Sequence, residues 1–94
     1  MKKYELTQET IEFFGKTLYR IKALIEFETA SGLKVSAGDL GGWVESENNL
    51  SHDGTAWVYG NAEVYDMARV YDMARVYGTV HVNATMSKTK SNFQ

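Results

Sequence analysis

Two histidines, His52 and His81, are the side chains of this 94-residue sequence best suited to proton transfer, and there is no cysteine to act as nucleophile or thiolate ligand. Neither histidine has company that would make it a catalyst. No Ser–His–Asp order has local support, and no His/Asp/Glu cluster has the spacing of metal ligands. The stretch SAGDLGG at 36–42 is glycine-rich but lacks the Lys-Ser/Thr of a phosphate loop, so it reads as a turn. The sequence therefore predicts no catalysis, no cofactor and no metal. Each histidine reads as a surface or paired side chain.

Binding chemistry is better represented. Between Lys34 and Arg69 there is no Lys or Arg, while Asp39, Glu45, Glu47, Asp53, Glu63 and Asp66 all fall in that interval. Such a stretch is either an ordinary solvated face or a patch that docks on a basic partner. Direct contact with nucleic acid is disfavoured, because phosphates call for clustered Lys and Arg. Aromatic residues accompany the acids: Trp43, Trp57, Tyr59, Tyr65, Tyr71 and Tyr77. Aromatics are enriched at interface hot spots, although tyrosine also favours strands and tolerates half exposure. Trp43, Glu45, Glu47, Trp57, Tyr59, Glu63, Tyr65, Asp66, Tyr71 and Tyr77 are the predicted partner-binding set.

Those residues are placed by a six-residue period. TAWVYG, NAEVYD, MARVYD, MARVYG and TVHVNA bring Val58, Val64, Val70, Val76 and Val82 into register, and Val44 and Leu50 continue the spacing backwards. Two positions before each of those five valines stands Ala56, Ala62, Ala68, Ala74 or Val80. In a helix, six residues turn a side chain by about 600°, so the valines would spiral around the axis. A short strand followed by a corner explains the pattern, with Ala and Val inward, Trp, Glu or Arg outward, and Gly or Asp at the corner. Two extra residues between Leu50 and Val58 fit a small loop at His52, Asp53 and Gly54. The first third also reads as strands: KYEL, then TIEFF and TLYRIKAL around a tight turn at Gly15. Over 17–27 a helix competes, since Leu18, Ile21, Leu24 and Ile25 also fit helical spacing. A short strand is expected around Val35.

Hexapeptide periodicity is a signature of parallel β-helices. The small–x–aliphatic pattern resembles the hexapeptide repeat of left-handed β-helices, in which three hexapeptides make one triangular coil. More specifically, KYELTQETIEFFGKTLYRIKAL, AGDLGGWVESENNLS and VYGNAEVYD resemble a family of small phage and prophage proteins. Its members carry this amino-terminal module and a variable number of VYGNA repeats. The resemblance covers residues 2 to 84 and implies no settled activity. It does imply a left-handed coil in which Val58 lies under Val76, Val64 under Val82, Val44 under Val64 and Leu50 under Val70. Outward neighbours are then Trp57 and Arg75, Glu63 and His81, Trp43 and Glu63, and Tyr59 and Tyr77. YDMA twice replaces the commoner YGNA, which places Met67 and Met73 at corners usually given to Asn and questions their regularity. The segment DMARVY at 66–71 recurs unchanged at 72–77, as recent growth of the array would leave it.

The expected fold is all-β: an amino-terminal antiparallel strand module at 1–38, a short left-handed parallel β-helix at 39–84, and a polar tail at 85–94. Repeat arrays expose apolar surface at their ends. The strand module can cap one end, and a second copy of the chain, in a homodimer or other homo-oligomer, is expected to close the carboxy-terminal coil. No signal peptide and no membrane span are read. The absence of cysteine suits the cytoplasm, here that of an infected host cell. The expected function is a non-catalytic phage accessory protein binding a host protein with a basic surface, such as a CRISPR nuclease. A structural module assembling through its coil ends is the alternative. An acyltransferase relic using His81 is the third reading, weakened by the short array and the lack of a protruding loop.

Overall fold

The computed structural model describes residues 2–13, 15–29, 32–66 and 68–76, together with the backbone of 81–82. The fold is all-β; among the described residues the only helical element is a single 3₁₀ turn, Glu47–Asn49. The expected tail at 85–94, Met67, Tyr77 and Val80 lie outside the described residues, as does most of the carboxy-terminal coil assigned to self-association.

β1 (Tyr4–Phe13) and β2 (Lys16–Ala23) form an antiparallel hairpin. Gly15, at φ +80°, supplies the turn conformation that L side chains avoid. KYEL and TIEFF, expected as separate strands, are one strand whose register shifts between Leu6 and Thr10. The bulge lets the chain stay paired while the alternation slips. The helical alternative at 17–27 does not occur. β2 is bonded to β1 on one edge and to β5 (Leu40–Val44) on the other, and Leu18 and Ile21 are both fully buried. Two flanking strands satisfy its backbone and bury side chains on both faces, which outweighs a weak helical period. β3 (Phe27–Glu28) and β4 (Lys34–Val35) make a small antiparallel ribbon.

β6 (Trp57–Val58), β7 (Glu63–Val64), β8 (Arg75–Val76) and β9 (His81–Val82) are each two residues long. They pair in parallel with the strand one circuit earlier. Trp43 and Val44 lie beside Glu63 and Val64, Trp57 and Val58 beside Arg75 and Val76, and Glu63 and Val64 beside His81 and Val82. Leu50 bridges to Val70 in the same sense. The pairings of Val44 and Leu50 span two residues more than that of Val58, because their circuit contains the loop at 52–55. Three parallel ladders result: β5–β7–β9, Leu50–Val70 and β6–β8. The first extends into the hairpin, giving the order β1-β2-β5-β7-β9.

Corners between rungs share one construction. The amides of Ala62, Ala68 and Ala74 donate to the carbonyls of Tyr59, Tyr65 and Tyr71 at 3.0, 3.2 and 3.1 Å. The residue after each tyrosine carries positive φ: Gly60 at 54°, Asp66 at 58° and Asp72 at 60°. The corner holding Met73 therefore closes like the one holding Asn61. The unusual conformation falls on the preceding residue, so exchanging Asn for Met leaves the turn intact.

Val44, Leu50, Val58, Val64, Val70 and Val76 have no exposed surface, and Ala56, Ala62, Ala68 and Ala74 fill the space beside them. Each buried valine contributes about 1.5 kcal/mol or more. At one corner the buried Asn49 side chain accepts from the amides of Glu45 (3.0 Å) and Ser46 (2.8 Å) and donates to the carbonyls of Asp66 and Ala68. It thereby pins one rung to the next.

Strand alternation dictates what the first rung leaves open. Trp43, Glu45, Ser51, Trp57 and Tyr59 direct their amides to the second rung. The backbone groups of Val44, Leu50 and Ala56 point the other way. On the first ladder β2 pairs with that edge. On the other two, side chains from the start of the chain do so: Tyr4 Oη donates to the Leu50 carbonyl at 2.5 Å, and Lys3 Nζ to the Ala56 carbonyl at 2.6 Å.

Candidate functional site

His52 sits in the two-residue insertion, and its ring is engaged on both nitrogens. Nδ1 accepts the Lys3 amide N–H at 3.1 Å, and Nε2 lies 3.0 Å from Glu47 Oε1. An accepting Nδ1 puts the proton of the neutral ring on Nε2, from where it is donated to Glu47. The other Glu47 oxygen takes Lys2 Nζ at 3.1 Å. Hydrogen bonds from His52 and then from Lys2 hold the Glu47 carboxyl below its ordinary value. Tyr4 stacks on the imidazole with centroids 4.2 Å apart. This is a clasp on the amino-terminal segment, with both nitrogens already occupied. His81 faces Glu63 in backbone register. Among the described residues no group of three or more His, Asp or Glu is placed to hold a metal ion.

The predicted partner-binding residues do not share one face. Trp43, Glu45, Glu63, Tyr65 and Asp66 gather on the β5–β7 ladder, and Trp57 and Tyr59 belong to the β6–β8 ladder. Glu47 and Tyr71 flank the Leu50–Val70 bridge, and Tyr77 is outside the described residues. Three hexapeptides complete a circuit, so Tyr59, Tyr65 and Tyr71 belong to three successive sides rather than to one aromatic surface.

The two tryptophans, expected outward, are buried: Trp43 is 6% exposed and Trp57 2%. They do face away from the valine core, but the amino-terminal segments cover them. Arg20 lies over the Trp43 ring at 4.3 Å while its Nη1 donates to the Gly41 carbonyl at 2.9 Å. Trp57 is met edge-on by Phe27 (5.4 Å) and Tyr4 (6.4 Å). Trp57 and Arg75 are neighbours in backbone register, as expected.

The acidic patch is likewise reduced. Glu47 pairs with Lys2, and Asp66 with Lys16 at 2.6 Å. Glu45 Oε1 accepts the Asp66 amide at 2.8 Å. The cations come from outside the interval that lacks them, carried in by the strand module. Tyr65 packs on Phe13 at 5.1 Å. Of the predicted set, Glu45, Glu47 and Asp66 are thus engaged within the chain.

A feature not anticipated from the sequence is a cleft of about 260 Å³ lined by Leu33, Lys34, Val35, Asp39, Leu40, Trp57 and Tyr59. Leu33 and Leu40 are 53% and 55% exposed, the most exposed large apolar side chains among the described residues. Tyr59 lines the cleft, and its buried hydroxyl has no hydrogen-bond partner among the described residues. No family model and no curated protein matches the chain. The signal that could have found the cleft is the pair of leucines, Leu33 and Leu40, in the glycine- and serine-rich stretch SGLKVSAGDLGG. Lys2 and Lys16 were missed because nothing local marks them as partners of distant acids, and Lys3 and Arg20 because nothing local marks them as donors to distant carbonyls. Among the described residues, no helix is long and apolar enough to cross a membrane.

Proposed function

We propose that the chain is a non-catalytic phage accessory protein that binds a host macromolecule, using a short left-handed parallel β-helix as a rigid scaffold. The handedness and the phage setting rest on the resemblance of the module and its VYGNA repeats. A host defence effector with a basic surface, such as a CRISPR nuclease, is the most concrete target. The observation that supports binding over catalysis is the cleft flanked by Leu33 and Leu40. It joins the exposed apolar side chains of Leu33 and Leu40 with the aromatic Tyr59 and the acidic Asp39, which is the composition of a protein contact.

The test is capture from host lysate by the tagged chain, with absolute mass by light scattering on the same preparation. A discrete species that retains one basic protein, and loses it in Leu33→Asp/Leu40→Asp and in Asp39→Lys, supports the proposal. Retention unchanged by these substitutions moves the contact elsewhere. The parallel ladders favour a second reading, because their register continues to residues 81–82 and would extend in a neighbouring copy. Mass that grows with concentration, with nothing retained, favours that assembly role.

A further inference from the structure

His52 makes two hydrogen bonds of opposite polarity, and only one protonation state can make both. The ring must accept at Nδ1, where the Lys3 amide arrives, while it donates at Nε2 to Glu47. We propose that His52 is an acid-sensitive latch for the amino-terminal segment: neutral, it holds residues 2–4 against the first rung, and protonated, it releases them. Adding a proton to Nδ1 turns the acceptor into a donor facing another N–H, and the Lys3 amide loses its partner.

The neighbouring charges set how the latch responds. Glu47, at 3.0 Å, attracts the imidazolium and keeps the ring on its own side. Lys2 competes for the second Glu47 oxygen, and the Lys3 ammonium on the Ala56 carbonyl adds like charge. Asp53, next in the loop, is exposed and has its amide on Ser51 Oγ. Tyr4 contributes only its ring face. Glu47 is already held below its usual range by its bonds to His52 and Lys2, and burial lowers the Lys3 ammonium to about 8, so comparison with His52→Asn separates the imidazole from Lys3.

Release has a defined consequence. The Lys3 amide bond, the Tyr4 stack and the donors to Leu50 and Ala56 belong to one three-residue segment, which stays tethered to β2 by the Leu24 amide on the Lys3 carbonyl and by the pairing of Tyr4 with Ala23. Loosening it uncovers two first-rung carbonyls and the edge of Trp57 while leaving β2 on β5.

The experiment is amide exchange on the full chain by nuclear magnetic resonance, corrected for intrinsic rates, at pH 7.5 and pH 5.0. Protection of the Lys3 amide should fall by about tenfold or more, while that of the Glu45 amide on the β5–β7 ladder stays constant. His52→Asn keeps an acceptor oxygen near the Nδ1 position and cannot gain a proton, so its Lys3 protection should not depend on pH. Equal Lys3 protection at both pH values in the unaltered chain overturns the latch, and so does a fall that persists in His52→Asn. If that variant does not fold, the imidazole nitrogen shifts of the unaltered chain decide. A neutral ring protonated at Nε2 at pH 7.5 is required, and one protonated at Nδ1 removes the basis of the proposal.

Discussion

At β5 the first rung meets a whole strand; at Leu50 and Ala56 it meets single side-chain atoms. All three are the same edge of the same parallel stack, with carbonyls aimed away from the second rung. The β5 edge is sealed by backbone, and what it demands of the sequence is bare backbone. A Cβ at Gly42 would stand 2.6 Å from Val58 Cγ1 and 2.7 Å from the Ala62 carbonyl, and one at Gly41 2.7 Å from Ile21 Cγ1. The other two edges are sealed by a phenol and an ammonium, which need burial and a fixed approach. A strand seal spreads over many bonds, whereas a side-chain seal fails with one residue and can respond to pH.

The largest effect should come from Trp57→Ala, which removes the surface on which Tyr4 and Phe27 rest and costs about 4 kcal/mol in denaturant unfolding. If the strand seal is as intolerant as its glycine against Ile21 indicates, Gly41→Ala costs about 3 kcal/mol through overpacking, measured the same way. A loss near zero would show that β5 can shift and would erase the contrast. Tyr4→Phe keeps the ring and strips the donor from the Leu50 carbonyl, at about 2 kcal/mol. The strand-sealed edge should be indifferent to it, with exchange at the Ala23 and Glu45 amides unchanged.

Lys3 offers a pH test. Burial lowers its ammonium to about 8, against 10.5 for the free side chain. Between those values the unfolded chain binds more protons than the folded one, so stability should rise with pH by at most about 1.4 kcal/mol per unit. Below that window both states carry the charge, and the full cost of burying it is present. Urea melts from pH 7.5 to 9.5 should show the rise in the unaltered chain and not in Lys3→Met. The smallest effect lies away from either seal. Asp72→Gly relieves a non-glycine residue at φ 60° and should add about 1 kcal/mol.

The ladders were legible because a six-residue period combined with alternation leaves few alternatives. Val58 beside Val76 and the two-residue offset at Val44 both follow once the resemblance supplies three hexapeptides to a circuit. What escaped was anything that depended on where distant segments land. The outward positions of Trp43 and Trp57 were inferred correctly relative to the valine column, yet Arg20, Tyr4 and Phe27 cover them from the other side. Counting charges between Lys34 and Arg69 described a stretch of chain, whereas Lys2 and Lys16 reach that stretch through space. The tyrosines show a different lapse. Their common repeat position suggested one surface, but a three-sided circuit deals successive repeats to successive sides.

That three-sided circuit gives the repeat number a meaning beyond length. Inserting or deleting one hexapeptide, as the doubled DMARVY suggests has happened, turns everything downstream onto the next side of the prism. Adding three returns it to its original bearing, one storey higher. In-frame slippage at such a repeat would work as a rotary adjustment, swinging whatever follows to a new heading while each corner stays as it was.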